Sequence, residues 1–246
     1  MQVIGIICGS GFYSFLENFE ELEIETPYGK PSDKIAISTV EGKEVAFIPR
    51  HGKKHIYPPH KVPYKANVYA LKQLGVDKII STTACGSLKK EISPGDFVVV
   101  DQFVDRTWGR DDTFSYIGNV RHTLMAHPYD PEMREIAIKV LEELGFRFHK
   151  KGTCVVIQGS RFSTLAESRW YSKAGFDVIG MTQYPEVALA NELRIRYLNI
   201  TLVTDYDAGL EDDPDIKPVS HEEVLRVFSE NVEKLKKVII EIIKRI

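Results

Sequence analysis

Two acidic residues with close spacing, Asp205 and Asp207, follow the apolar run at residues 200–204. The β-branched side chains of this run predict a buried strand, and ligands of open α/β sheets bind outside the carboxyl ends of strands. Neighbouring carboxylates repel each other and lose hydration on burial, which would raise the pKa of one of them. Such a pair can donate a proton or a hydrogen bond to a ligand. The alternative is a solvated loop or a helix cap.

Other predicted strand ends carry groups that donate hydrogen bonds to anions. Arg50 and His51 follow one strand, and a guanidinium fork matches two oxygens of a phosphate. For Arg50 alone, a surface salt bridge is the alternative interpretation. Hydroxyl groups and glycines follow three more strands, at Gly9-Ser10-Gly11, Thr83-Ala84 and Thr182. A pocket with an anion clamp at one side and a carboxylate at the other could transfer a sugar from a base to phosphate. The residue pattern alone does not define the function further.

The same stretches give no indication of a metal or an organic cofactor. His55 and His60 lie close together, but no carboxylate or cysteine shares a metal-ligand spacing with them. The first glycine-rich turn is not a dinucleotide-binding fingerprint, because Ser14 stands where the third glycine would be. We therefore expect neither a metal nor a nicotinamide cofactor.

The composition is that of an ordinary globular protein and excludes several function classes. With a net charge of -3 and a pI near 6.2, the chain is not expected to bind nucleic acid. It has no run of about 18 apolar residues and no long basic run, so no membrane association is expected. Cys8, Cys85 and Cys154 are odd in number and lie in or beside apolar strands, which indicates buried thiols in a reducing cytoplasm.

Alternating strands and helices must position these residues. A β-hairpin is predicted over residues 34–48. Helices are predicted at residues 63–74, 131–144 and 184–193. Further strands are predicted at residues 78–83, 97–101, 153–157 and 177–182. Ser220 and Glu223 form a capping box that opens a helix to the carboxyl terminus. Residues 105–128 are predicted to form a long connecting segment, called the excursion below, that lines a site or a subunit contact. The pattern indicates one α/β domain over residues 1–246.

Eight short motifs together are far more specific than any one of them. They are Gly9-Ser10-Gly11, Arg50-His51-Gly52, Thr82-Thr83-Ala84-Cys85-Gly86-Ser87, Asp101-Gln102-Phe103, Arg161-Phe162-Ser163-Thr164, Met181-Thr182, Pro185-Glu186 and Thr204-Asp205-Tyr206-Asp207. Through them, the chain resembles the trimeric purine nucleoside phosphorylase and methylthioadenosine phosphorylase family over nearly its whole length. The resemblance implies a twisted mixed β-sheet flanked by helices, a homotrimer or homohexamer, and inorganic phosphate as co-substrate without any cofactor.

The resemblance also implies a role for each residue that matches the family motifs. The phosphate-binding residues would be Ser10, Arg50, His51, Thr83, Ala84 and Thr182. The residues that bind the nucleoside would be Phe162 on the base, Met181 on the sugar, Asp205 and Asp207 at the purine, His221 at the 5' end, and His122 from a neighbouring subunit. Asp205 and His51 would be catalytic.

The mechanism that follows uses charge rather than a nucleophilic side chain. Phosphate beside the anomeric carbon would stabilise an oxocarbenium-like transition state. Asp205 would assist departure of the purine by donating to N7 if burial beside Asp207 keeps it protonated. A non-catalytic nucleoside-binding protein would be expected to have a damaged phosphate clamp, yet Arg50, His51, Thr83 and Thr182 are all present.

Substrate choice rests on departures from the methylthioadenosine enzymes. Asp205 and Asp207 match those enzymes, but Gln158 and Ser160 replace a Glu and a Pro, Leu165 replaces an Arg, and Ala208-Gly209 replaces a pair with Trp. His221 begins a His-Glu-Glu-Val-Leu run that in purine nucleoside phosphorylases bonds the 5'-hydroxyl. We therefore expect phosphorolysis of 6-oxopurine nucleosides such as inosine and guanosine in purine salvage. The alternative is a methylthioadenosine phosphorylase that yields adenine and methylthioribose 1-phosphate.

Overall fold

Runs of β-branched and apolar residues form a mixed β-sheet of eleven strands in the described part of the chain. The computed structural model describes residues 3–9, 16, 18–210, 214, 216 and 219–246. The strands are β1 Val3–Cys8, β2 Glu20–Leu22, β3 Ile35–Val40, β4 Lys43–Pro49, β5 Val76–Ser87, β6 Phe97–Val99, β7 Gln102–Arg106, β8 Phe148–His149, β9 Thr153–Ile157, β10 Val178–Gly180 and β11 Arg196–Tyr206. The helices are α1 Tyr64–Gln73, α2 Pro131–Glu143, α3 Leu165–Lys173, α4 Gln183–Glu192 and α5 His221–Ile243.

The long strand β5 organises the sheet and creates a fork in it. One edge of β5 pairs in parallel with β11 over residues 78–87. The other edge pairs in parallel with β1 over residues 76–81 and antiparallel with β10 over residues 86–87. Because β1 and β10 run in opposite directions, the carboxyl ends of both strands point at the gap between them. Residues 82–85 of β5 border this gap.

The burial of β5 shows where the sheet is open. Parallel strands covered on both faces are buried along their whole length. All twelve residues of β5 are described, and Ala84 is the only exposed one. This exposed residue lies in the centre of the sheet and at the fork, so the fork is open to solvent there.

Helices cover both faces of the sheet. On one face, α1 and α4 pack through Val68, Leu71, Val187 and Leu189. On the other face, α2 and α5 pack through Met133, Val140, Leu235 and Ile239. The expected fold class, a twisted mixed sheet flanked by helices, is confirmed. None of the described helices is both long and apolar enough to cross a bilayer.

Most predicted elements are present, but their ends differ. The hairpin of β3 and β4 and the helices α1, α2 and α4 lie within two residues of their predicted bounds. The prediction that the strand after α1 ends at Thr83 is wrong, because β5 continues to Ser87 through its pairing with β10 and β11. The edge strand β7 and helix α3 were not predicted.

Candidate active site

The fork opens into a cavity of about 510 Å³. Its lining comes from the carboxyl ends of β1, β4, β9, β10 and β11, the middle of β5, and the first two turns of α5. Apart from β9, these are the strands at whose ends the sequence placed acidic and anion-binding residues. The fold therefore brings residues from distant parts of the chain into one site.

Arg50 lies at one end of this cavity and is almost fully buried, with 1% of its surface exposed. Its Nε and Nη2 donate to the two carboxylate oxygens of Glu186 at 2.7 and 3.0 Å. Nη2 also donates to Ser81 Oγ at 2.7 Å, and Nη1 donates to the Thr82 carbonyl at 3.0 Å. Glu186 takes the Nε–Nη2 fork of the guanidinium group, and binding of phosphate by Arg50 stays a prediction. The second hydrogen of Nη1 has no acceptor among the described residues.

Glu186 is a candidate site residue to which sequence reasoning assigned no role. It is fully buried in the first turn of α4, where it also accepts hydrogen bonds from Ser81 Oγ and the Tyr197 hydroxyl, both at 2.7 Å. Burial alone would lower the pKa of Arg50, but the charge and the hydrogen bonds of Glu186, with smaller contributions from Tyr197 and Tyr64, together outweigh burial and raise it. Glu186 therefore keeps Arg50 charged and fixes its position. The only signal in the sequence was its place in the Pro185-Glu186 motif.

His51 follows Arg50 and is held in one tautomer. Its Nδ1 lies 2.8 Å from the carbonyl oxygen of Tyr57, and a carbonyl can only accept, so Nδ1 carries a proton. Burial and the charge of Arg50 lower the pKa of His51 to about 4, so the ring is neutral at neutral pH. The ring stacks on His55 with a centroid distance of 4.4 Å. The second nitrogen, Nε2, is consequently a hydrogen-bond acceptor.

The expected phosphate-binding hydroxyls differ in their surroundings. Thr83 Oγ1 lies 2.9 Å from Thr201 Oγ1 and accepts from Gln183 Nε2, so it is part of a buried network. Thr182 lines the cavity just before α4, and its side chain does not cap that helix. Ala84 also lines the cavity. Ser10 lies outside the described residues, so its predicted role is unchanged by the structure.

The acidic pair lies at another part of the cavity, just past a bulge in β11. The register with β5 shifts between Val203 and Asp205, which places Asp205 opposite Gly86. Asp205 and Asp207 are 7% and 2% exposed. Burial raises the pKa of Asp205 to about 6; the hydrogen bond from Thr204 Oγ1, at 2.7 Å, opposes this rise, and the charge of Asp207 adds to it. Asp207 accepts from Ser163 Oγ at 2.5 Å.

Gly86 makes room for Asp205. A Cβ atom at Gly86 would lie 2.8 Å from Asp205 Oδ2 and 3.2 Å from Ile179 Cγ2. Arg50 is bonded to Thr82 on the same strand, four residues earlier. At the rise of an extended strand, these two points are about 13 Å apart. The cavity can therefore hold an anion, a sugar and a heterocyclic base in a row.

A third part of the cavity is mainly apolar. Ile56 and three residues from the first turns of α5 line it, Val224, Leu225 and Phe228. His55 and His221 also line this part of the cavity. His221 is the first residue of α5 and is exposed, so its imidazole can keep its contact with water. Sequence reasoning singled out His221 here but missed the apolar residues beside it.

The remaining predicted residues are divided between the cavity and the surface. Phe162 and Met181 line the cavity, and Phe162 is 37% exposed. His122 is exposed on the excursion after β7 and is not among the described residues that line the cavity of its own chain. A contribution of His122 to a neighbouring subunit remains a prediction.

Comparisons with known proteins place these observations in a family. A family model described as "Phosphorylase superfamily" matches residues 3–244. The S-methyl-5'-thioadenosine phosphorylase of Thermofilum pendens is 53% identical over 99% of this chain and 92% of its own length. The purine nucleoside phosphorylase of Streptomyces coelicolor is 46% identical over 96% of this chain and 86% of its own length. A solved adenosine/methylthioadenosine phosphorylase mutant of Schistosoma mansoni, in complex with methylthioadenosine, superposes with a TM-score of 0.92, at 36% identity, over 98% of this chain and 90% of its own.

These similarities correct the substrate expected from the sequence. Relatives at 49–53% identity carry the name S-methyl-5'-thioadenosine phosphorylase, and a structural neighbour from Schistosoma mansoni is named methylthioadenosine phosphorylase. The expectation of a purine nucleoside phosphorylase for 5'-hydroxyl 6-oxopurine nucleosides is therefore wrong. That expectation rested on a hydrogen bond from His221 to a 5'-hydroxyl. In the structure, His221 is exposed at the start of α5, and the apolar side chains of Val224 and Leu225 line the same cavity.

Proposed function

Because this chain belongs to the phosphorylase superfamily, we propose that it is an S-methyl-5'-thioadenosine phosphorylase. It transfers the methylthioribosyl group from adenine to inorganic phosphate and releases adenine and methylthioribose 1-phosphate for purine salvage. The reaction needs no metal and no organic cofactor. The names of the relatives at 49–53% identity support this substrate.

The observation that carries the proposal is the apolar part of the cavity. Ile56, Val224, Leu225 and Phe228 offer carbon surfaces to the 5' substituent. A methylthio group gains free energy from leaving water for such a surface, whereas a 5'-hydroxyl loses its hydrogen bonds there. The exposed position of His221 means that no buried imidazole opposes the methylthio group.

The acidic pair suits a 6-aminopurine. Asp205 has a pKa raised to about 6 and retains a fraction of its protonated form at neutral pH. In that form it donates to N7 and stabilises the charge that builds on the departing purine. Asp207 accepts from Ser163 through Oδ2, so its Oδ1 is positioned to accept from the 6-amino group. Phe162 packs against the base and Met181 against the sugar.

The end of the cavity beside Arg50 binds the phosphate that attacks the sugar. The proposed ligands are the second hydrogen of Arg50 Nη1, the hydroxyl of Thr182, the backbone at Ala84, Ser10, Thr83 and His51. Phosphate held at this end lies against the sugar, and its negative charge stabilises the oxocarbenium-like transition state. The Arg50–Glu186 pair has no net charge, so hydrogen bonds rather than a local excess of positive charge hold the phosphate.

We also propose that the chain, taken as a single domain over residues 1–246, forms a homotrimer or homohexamer in the cytoplasm. Exposed apolar side chains support a subunit contact on the excursion after β7, since Trp108, Ile117 and Leu124 are 74%, 101% and 92% exposed. The same excursion carries His122, which would reach the 5' end of a neighbouring site. The three cysteines are free and buried, as expected for a reducing compartment. Light scattering on the purified protein measures the assembly.

A substrate panel tests the proposed activity. Methylthioadenosine, adenosine and inosine are each supplied with and without phosphate, and release of the free base is followed. We expect the highest kcat/KM with methylthioadenosine and no release without phosphate. Equal release in phosphate-free buffer would indicate a hydrolase, and a higher kcat/KM for inosine than for methylthioadenosine would reject the proposed substrate.

A further inference from the structure

The anion end of the cavity contains a hydrogen-bond acceptor as well as donors. Nδ1 of His51 donates to the Tyr57 carbonyl at 2.8 Å, which leaves Nε2 of the neutral ring with a lone pair and no proton. Nε2 has no partner among the described residues, and His51 lines the cavity. Stacking on His55 at an interplanar angle of 13° and the short bond to Tyr57 both restrain the ring. A ligand at this end therefore meets an acceptor in a fixed position.

The hydrogen-bond donors at this end of the cavity also limit which oxygen of a bound anion can face His51. Arg50 has one Nη1 hydrogen that no described residue accepts, and the Thr182 hydroxyl does not cap α4. These groups suit the deprotonated oxygens of an oxyanion. An oxygen without a proton would instead repel the lone pair of His51 Nε2. The oxygen that faces His51 must carry a hydrogen.

We propose that His51 makes the site selective for protonated oxyanions, with a P–OH group of hydrogen phosphate donating to Nε2. This inference rests on the proposed function, since it takes phosphate as the anion that binds at Arg50 and His51. Sulfate has the same shape and size but carries no proton near neutral pH, so it offers Nε2 no donor. The contact thus protects the site from occupation by an abundant anion that cannot act as the nucleophile.

Two matched pairs of anions test the selectivity. Phosphate and arsenate carry a proton at neutral pH, while sulfate and selenate do not. Their affinities for the wild-type protein are measured by titration calorimetry, without nucleoside. Because a hydrogen bond to a charged group is replaced by a lone-pair contact, sulfate and selenate should bind about 10- to 100-fold more weakly than their partners. Affinities within about threefold in both pairs would overturn the proposal.

A substitution separates His51 from the other anion ligands. His51→Gln supplies an amide that can rotate to donate, so the preference for phosphate over sulfate should shrink toward unity. His149→Gln is the matched control, because His149 lies away from the cavity, 2.9 Å from Asp96, and its variant should keep the wild-type preference. An unchanged preference in the His51 variant would assign the selectivity to another group.

A measurement on the wild-type protein covers the case in which the variant fails to fold. Nitrogen NMR of labelled histidine distinguishes a protonated from an unprotonated ring nitrogen. We expect His51 to be protonated on Nδ1 and unprotonated on Nε2, and the Nε2 signal to shift with phosphate but not with sulfate. The opposite tautomer would overturn the inference. Both measurements are independent of turnover, so a failed substrate panel with intact anion selectivity would reject only the proposed function.

Discussion

Arg50 and Glu186 form a buried, two-pronged ion pair although 136 residues separate them in the sequence. The Nε and Nη2 atoms of Arg50 lie 2.7 and 3.0 Å from the two oxygens of Glu186, and each side chain is 1% exposed. Ser81 Oγ accepts from Arg50 and donates to Glu186, both at 2.7 Å, so it closes the contact. The pair joins the end of β4 to the start of α4, on the two sides of the proposed phosphate site.

Replacing Glu186 by Gln should leave the charge of Arg50 uncompensated in the protein interior. Removal of one partner of a buried ion pair costs about 3–5 kcal/mol, and the retained amide oxygen places the expected loss at the lower end. Phosphate should stabilise the variant more than the wild type, because the anion replaces the missing negative charge. Thermal unfolding with and without phosphate measures both effects.

The control for this experiment is the exposed pair of Arg226 with Glu230 in α5. Its nitrogen and oxygen lie 2.6 Å apart, but both side chains are more than half exposed. Exposed pairs contribute about 0–1 kcal/mol, so Glu230→Gln should hardly change the melting temperature. An equal phosphate effect on wild type and Glu186→Gln would show that Glu186 does not balance charge at the anion site.

Asp205 is expected to lower the stability of the protein at neutral pH. Its pKa rises from an ordinary value of 3.8 to about 6 in the folded state, so the folded protein binds a proton more readily than the unfolded chain. The contribution of Asp205 to the free energy of unfolding should therefore fall by about 3 kcal/mol as pH rises from 3.8 to about 6, and stay level above that range.

Asp205→Asn removes this titration while keeping an acceptor for Thr204. The variant should be more stable than the wild type above pH 6, and the difference should vanish toward pH 3.8. Chemical denaturation across this pH range measures the gap between the two proteins. A gap that does not change with pH would mean that folding does not shift the pKa of Asp205.

The same substitution should impair catalysis. Asn can still donate a hydrogen bond to N7, but it cannot transfer the proton that Asp205 gives to the departing purine, and loss of general-acid catalysis lowers kcat on the order of 10²-fold or more. Phosphate affinity should change little, since the anion end lies about 13 Å away along β5. Steady-state kinetics with phosphate varied separates the two parameters. A variant with near-normal kcat would limit Asp205 to shaping the cavity.

Gly86→Ala should displace Asp205 without altering its charge. The new Cβ would lie 2.8 Å from Asp205 Oδ2, and Thr204 holds the other oxygen, so the carboxyl group has to move. A displacement of about 1 Å at a reacting group can cost on the order of 10²-fold in kcat. Gly152→Ala is the steric control, because its Cβ would lie 2.7 Å from Val98 Cγ1, outside the cavity. Equal losses of kcat in both variants would point to a general packing defect.

The sequence predicted the local elements of the fold better than their ends. The hairpin of β3 and β4 and the amphipathic helices have periodic patterns that neighbouring residues determine. The end of β5 was misplaced because Ala84, Cys85, Gly86 and Ser87 are typical of a turn, whereas pairing with β10 and β11 extends the strand. Helix α3 had a usable signal, the capping box of Thr164 and Glu167, which was not recognised.

The site was predictable where it is local in sequence. Asp205 and Asp207 lie two residues apart at the carboxyl end of β11, so their proximity and the raised pKa of Asp205 could be expected. The partners of Arg50 and His51 could not, because Glu186 is distant in sequence and Tyr57 contributes only a backbone carbonyl. The error in the expected substrate came from the role given to the run that begins at His221, a residue that the structure places in an exposed position at the start of α5.

The last prediction concerns Val224, which lines the apolar part of the cavity in the second turn of α5. Val224→Thr keeps the shape of the side chain and adds a hydroxyl, so the methylthio group would meet a polar atom that it cannot satisfy. A 5'-hydroxyl can bond to the same atom. The ratio of kcat/KM for methylthioadenosine over adenosine should therefore fall about 10-fold. Val232→Thr is the matched control in the same helix, because Val232 packs against the core and does not line the cavity. An unchanged ratio in Val224→Thr would show that the 5' substituent binds elsewhere.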